Sequence, residues 1–312
     1  QKSKDNPYRD YYIWRSPREV AEDGTSAQQP PNNWESIFSG SAWEYKSHTN
    51  EYYLHLFSKK QPDLNWENEA VREEVYKLMR FWLNKGIGGF RMDVIPFMSK
   101  REGFADIDYE NFPDGLAEAY ANGPKIHDYL KEMREKVMGH YDVFSVGEGP
   151  GISPEIAPLY VDEKRKELDM IFHFDHLQLD RENKDLWKKK DYSLQEFKEI
   201  FERWDEAVGR NGWGAIYLGN HDTARIVSRF GEDGQYREAS AKTLATLMFT
   251  QRGTVGIYQG DEIGMTNVQL NDISEFLDIQ AINLYQERVV ENGEDSAPLL
   301  DALNRFGRDN AR

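Results

Sequence analysis

From Asn68 onward the chain alternates short apolar runs with amphipathic stretches, a rhythm that points to a parallel sheet covered by helices. Val71, Val75, Leu78, Met79, Trp82 and Leu83 recur at helical spacing, with Asn68 placed to cap the start and Gly86 to end the helix. A strand is expected over 89–94, a helix over 126–137, a strand over 143–147 and a further short strand over 172–174. Helical spacing returns over 194–208 and 239–249, and strands are expected over 215–218 and 255–258. Residues 1 to about 66 break the rhythm. They are irregular and rich in Tyr and Trp, with an exposed loop expected over 19–33 and one short strand over 51–57.

Three of the expected strands run into a carboxylate, at Asp93, Glu148 and Asp222. In a barrel of parallel strands, the C-terminal strand ends and the loops after them form one site. On a strand, Arg91 and Asp93 point the same way, and a guanidinium beside Asp93 keeps it ionised, as a nucleophile requires. The other reading of that pair is a structural ion pair. Glu148 lies in the run Val146-Gly147-Glu148-Gly149-Pro150-Gly151, and it is either a general acid or a turn glutamate. Asn220-His221-Asp222 suits the polar edge of a sugar, or alternatively caps a following helix.

Charge narrows the classes of partner. Lys and Arg number 39 against 55 Asp and Glu, a net charge of −16, which opposes nucleic-acid binding and suits a neutral ligand such as a sugar. No run of about 18 apolar residues is present to span a membrane. Cysteine is absent, so thiol chemistry is excluded, and a cytoplasmic location is expected. The glycines around Glu148 lack the spacing of a dinucleotide fingerprint, and no calcium-loop spacing or serine-nucleophile elbow is found. His127, His140 and His173 read as structural histidines, and Trp187, Trp204 and Trp213 as core or interface aromatics.

The segments Gln61-Pro62-Asp63-Leu64-Asn65, Gly89-Phe90-Arg91-Met92-Asp93, Gly147-Glu148 and Asn220-His221-Asp222 together resemble the α-amylase superfamily, glycoside hydrolase family 13. Within it the likeness is to oligo-1,6-glucosidases and other α-glucosidases, supported by Phe57-Ser58-Lys59-Lys60, Ile257-Tyr258-Gln259-Gly260-Asp261-Glu262 and the closing Gly307–Arg312 run. The resemblance implies an α/β fold, the (β/α)8 TIM barrel, with residues 1–66 as the later part of an inserted loop-rich domain. Residues 67–312 would run from about the fourth barrel strand to the eighth-strand region, with no C-terminal β-sandwich.

The resemblance also implies roles. Asp93 would be the nucleophile and Glu148 the general acid/base, with Asp222 holding the glucose hydroxyls. Arg91 would support Asp93, while His221 and Arg308 would bind the sugar and Val94 would favour α-1,6 bonds. Retention of configuration requires the two catalytic carboxyls to lie about 5–5.5 Å apart. No cofactor or metal is implied, and a calcium site would lie upstream of Gln1. The expected partner is a small oligosaccharide, with no nucleic acid or membrane. The first three barrel strands are missing from the pattern, so the chain by itself is expected to be poorly soluble and inactive, with Arg308 lacking its carboxylate partner. Gly149 stands where these glucosidases commonly have Met. Leu179-Asp180-Arg181-Glu182 partly resembles the product-directing loop of sucrose isomerases, which keeps isomaltulose or trehalulose formation open as an alternative activity.

Overall fold

The structure is a computed structural model, and it describes residues 3–18, 29–112, 115, 119–182 and 187–310. Most of the loop expected over 19–33 lies outside the described residues. The chain forms two compact units, Gln1–Ile152 with Arg165–Asp169, and Ser153–Lys164 with Met170–Arg312. The sequence division at residue 66 therefore falls inside the first unit.

In the first unit, the aromatic segment builds an antiparallel sheet from β1 (Trp14–Arg15), β2 (Trp43–Lys46) and β3 (Glu51–Leu54), in the order β1-β3-β2. Trp43 pairs with Leu54 and Lys46 with Glu51 across β2 and β3. Trp34, Trp43, Tyr52, Leu54 and Tyr120 form the core beneath it. Aromatic residues this large bury the loop-rich segment without long secondary structure.

Helix α1 (Glu69–Leu83) starts where Asn68 accepts a hydrogen bond from the Ala70 backbone N–H at 2.9 Å. It buries Val71, Tyr76, Met79 and Leu83. Leu78 and Trp82, expected in that stripe, are exposed instead. The apolar stripe is wider than the face that finds a partner.

Strand β4 (Gly89–Met92) follows, then α2 (Ile126–Lys136) and β5 (Phe144–Glu148). β4 and β5 pair in parallel, Gly89 opposite Phe144 and Met92 opposite Gly147. Gly89 is required by close approach as well as by its φ of 153°, since a Cβ there would lie 2.0 Å from the Phe144 carbonyl oxygen. β4 is shorter than expected. It ends at Met92, so Asp93 and Val94 lie in the turn that leads into a 3-10 helix over Ile95–Met98.

The second unit contains α3 (Ala157–Val161), β6 (Met170–Phe172), α4 (Leu194–Val208), β7 (Ala215–Ile216), α5 (Ile226–Phe230), α6 (Arg237–Phe249), β8 (Thr254–Val255), α7 (Ile279–Tyr285) and α8 (Ser296–Phe306). β6 lies two residues earlier than expected. β7 and β8 pair in parallel, with Ala215 opposite Thr254, and both are shorter than their apolar runs. α4 matches its expected span because Ser193 and Glu196 close a reciprocal capping box.

Candidate active site

The first unit brings Arg91, Asp93, Val94 and Glu148 together. β4 delivers Arg91 and, one residue past its end, Asp93, while Glu148 is the last residue of β5 beside it. Arg91 bridges both acids, with Nη1 on Asp93 Oδ1 at 2.5 Å and Nη2 on Glu148 Oε1 at 2.8 Å. The backbone N–H of Val94 donates to Glu148 Oε2 at 3.1 Å. The two acids differ in exposure: the Asp93 side chain is 71% exposed and that of Glu148 only 8%.

Burial raises the Glu148 carboxyl to about 7, and a hydrogen bond with the Asp93 carboxyl adds to the rise, against the lowering pull of Arg91 and the Val94 N–H. The guanidinium loses this contest because it is partly exposed, which screens its charge, whereas Glu148 is buried. A hydrogen bond between two carboxyls needs one proton, and burial favours Glu148 as its holder.

The second unit joins His221, Asp222 and Arg308. Asp222 lies in a turn six residues beyond the end of β7, not at the strand end itself. His221 Nε2 lies 3.1 Å from Asp222 Oδ2. Arg308 does have carboxylate partners, contrary to expectation: Nη1 donates to Asp222 Oδ1 at 2.7 Å and Nη2 to Asp278 Oδ1 at 2.6 Å. Asp278 was not singled out from the sequence. It also caps α7, accepting from the Gln280 N–H at 3.1 Å, and a capping signature was the only local sign of it. The nearby Arg225 is buried on Asp309 at 2.8 Å and on the Gln259 carbonyl oxygen at 2.6 Å.

The Alpha amylase catalytic-domain family profile matches residues 1–312, the whole chain. The chain belongs to the alpha-amylase family. The family's catalytic domain is the (β/α)8 barrel expected from the sequence, and the parallel pairs β4–β5 and β7–β8 are segments of that fold. Among members of the alpha-amylase family, the chain is 52% identical over 315 residues to an oligo-1,6-glucosidase of Bacillus cereus, covering 100% of this chain and 55% of that protein. It is 45% identical over 311 residues to a glucan 1,6-alpha-glucosidase of Streptococcus pneumoniae, covering 99% of this chain and 53% of that protein. A solved trehalulose synthase, a point mutant in complex with Tris, matches with a TM-score of 0.92 at 46% identity, over 99% of this chain and 54% of that one. The chain thus spans about half the length of the curated relatives it matches.

The isomerase-like loop is tied into the second unit by a buried ion pair. Asp180 forms a two-point ion pair with Arg229, at 2.6 and 3.0 Å, and both side chains are buried. Arg181 is buried as well. Among the described residues, no helix is long and apolar enough to cross a membrane.

Proposed function

We propose that the protein is a retaining, exo-acting α-glucosidase that releases glucose from short α-1,6-linked oligosaccharides such as isomaltose. The observation that carries this reading is the pairing, through Arg91, of a buried carboxyl, Glu148, with an exposed one, Asp93, burial raising Glu148 to about 7. An acid held protonated beside an accessible carboxylate is the pairing that retaining hydrolysis uses. The Asp93 carboxylate attacks the anomeric carbon while Glu148 gives its proton to the leaving oxygen. Water, deprotonated by Glu148, then displaces Asp93 and restores the starting configuration. In this reading Arg91 balances the charge of the pair, while Asp222, His221 and Arg308 hold the glucose hydroxyls. Residues 1–66 are read as part of an inserted loop-rich domain and 67–312 as barrel.

Two carboxyls supply nucleophile and acid, so the proposed chemical step includes no metal or cofactor. The net charge of −16 suits a neutral sugar, and the cysteine-free chain suits the cytoplasm. Proton NMR of the first glucose released tests the mechanism: the α-anomer is expected, and initial β-anomer would sink it.

Linkage preference is assigned to Val94, which follows the nucleophile and offers an apolar side chain at a wall it shares with Asp93. A methyl-sized change in such a wall is worth about 10- to 200-fold in discrimination. Isomaltose is therefore expected to be preferred over maltose, and Val94→Thr to narrow the kcat/KM ratio. An unchanged ratio would clear Val94 of that role. A second reading, sucrose isomerisation, draws on the likeness to trehalulose synthase. Incubation with sucrose separates the two, since hydrolysis yields glucose and fructose whereas isomerisation yields isomaltulose or trehalulose.

A further inference from the structure

The Gln61-Pro62-Asp63-Leu64-Asn65 segment carries part of the family resemblance, yet none of the catalytic steps uses it. Its Asp63 accepts a hydrogen bond from Lys100 Nζ at 2.6 Å, and the Lys100 side chain is only 5% exposed. A buried ammonium is costly unless its donors are satisfied, and Lys100 spends a second one on the Phe97 carbonyl oxygen at 2.8 Å. Asp63 is itself anchored, its backbone N–H donating to the Leu54 carbonyl at the end of β3, at 2.9 Å.

The other end of this line of bonds reaches the catalytic acid. Phe97 belongs to the Ile95–Met98 turn, and its N–H donates to the Val94 carbonyl at 2.9 Å. Val94 in turn donates its own N–H to Glu148. Val94 has φ 35° and ψ 47°, the left-handed region that a β-branched residue strongly disfavours. Such a conformation persists only where its surroundings over-determine it. Relaxing it would swing the Val94 N–H away from Glu148. Asp63, Asp93, Val94 and Phe97 also share the wall of one cavity of about 300 Å³.

We propose that the Asp63–Lys100 ion pair is a positioning clamp for the catalytic acid: it pins the Ile95–Met98 turn, and through it holds the left-handed Val94 with its N–H on Glu148. The clamp rests on the glucosidase reading, in which Glu148 must be protonated to act. Neither Asp63 nor Lys100 is assigned a contact with substrate.

The test is the pH dependence of isomaltose hydrolysis by the full-length protein carrying Lys100→Met, Asp63→Asn or Lys100→Arg. Misplacing a catalytic group from a distance costs up to about a hundredfold, so kcat is expected to fall about tenfold to a hundredfold in the first two variants, with KM little changed. The alkaline limb is expected to move to higher pH, because the lost Val94 N–H had favoured the charged carboxylate. Lys100→Arg keeps the charge and is expected to recover most of both. A fall in kcat with the limb unmoved, or wild-type profiles in Lys100→Met and Asp63→Asn, overturns the clamp. If Lys100→Met is insoluble, Asp63→Asn and Lys100→Arg decide the matter by the same criteria. An active wild type with an unmoved limb in the variants defeats the clamp alone; a wild type inactive on isomaltose defeats the glucosidase reading and the clamp with it.

Discussion

Asp93 and Glu148 are both carboxylic acids, and both contact Arg91, yet they differ in the property that matters for catalysis. Asp93 stands in solvent one residue past a strand end. Glu148 closes a strand whose last four residues are buried. Burial and the neighbouring carboxyl lift Glu148 to about 7, so on the proposed mechanism activity is expected to decline above about pH 7 as this acid loses its proton. The linked effect on stability has a definite sign. A carboxyl raised in the folded state is most favourable below its unfolded value of 4.5, and that contribution is lost as pH rises through about 7. Glu148→Gln is therefore expected to gain stability on the wild type between pH 5 and pH 8, by up to about 3 kcal/mol. Urea denaturation at the two pH values checks this, and parallel midpoints for the two proteins would show that Glu148 is not raised. The acidic residue at 148 is plain in the sequence. Its ionisation is not, because that depends on Arg91 and Asp93, more than fifty residues away along the chain.

Within single elements, the sequence was most legible where the governing contacts are local. Asn68 caps α1 at the position expected, and α4 keeps its full expected span, closed at its start by Ser193. Strand ends were less legible, since the apolar runs at 89–94, 215–218 and 255–258 continue past the last paired residue. After β7 apolar character persists because the following turn is itself buried, at Tyr217 and Leu218, whereas after β8 the apolar Ile257 is exposed. β5 gives an element-scale test. A Cβ on Gly147 would lie 2.7 Å from Leu168 Cδ1 and 3.4 Å from Ile95 Cγ1, so a side chain there must displace the end of Leu168. Gly147→Ala is expected to cost about 1–3 kcal/mol by overpacking, seen as a lower urea midpoint. An unchanged midpoint would mean that Leu168 yields freely.

At the scale of the whole molecule, buried ionisable groups shape the response to acid. His173 and His176 are buried in the second unit, the His173 ring stacked on Trp204 with centroids 4.4 Å apart. Burial holds His173 down to about 3 and His176 well below its ordinary value. The unfolded chain takes up these protons near pH 6.5, so the histidines' contribution is complete above 6.5 and is lost as pH falls towards 3. The urea midpoint is expected to drop between pH 6.5 and pH 4, and His173→Phe, which keeps the ring, to lessen that drop. An equal drop in both proteins would assign the acid sensitivity elsewhere.

The amino-acid sequence by itself determined the alternation of strands and helices, the helix caps, the acids at 93, 148 and 222, and the family to which they belong. These depend on neighbours a few residues apart, or on motifs kept intact along the chain. Tertiary structure alone decided that Leu78 and Trp82 face outward, that Asp180 pairs with Arg229, that Arg308 sits between Asp222 and Asp278, and that burial raises the Glu148 carboxyl. Each of these turns on desolvation and on charges brought together from distant parts of the chain, and periodicity within a short window carries no information about either.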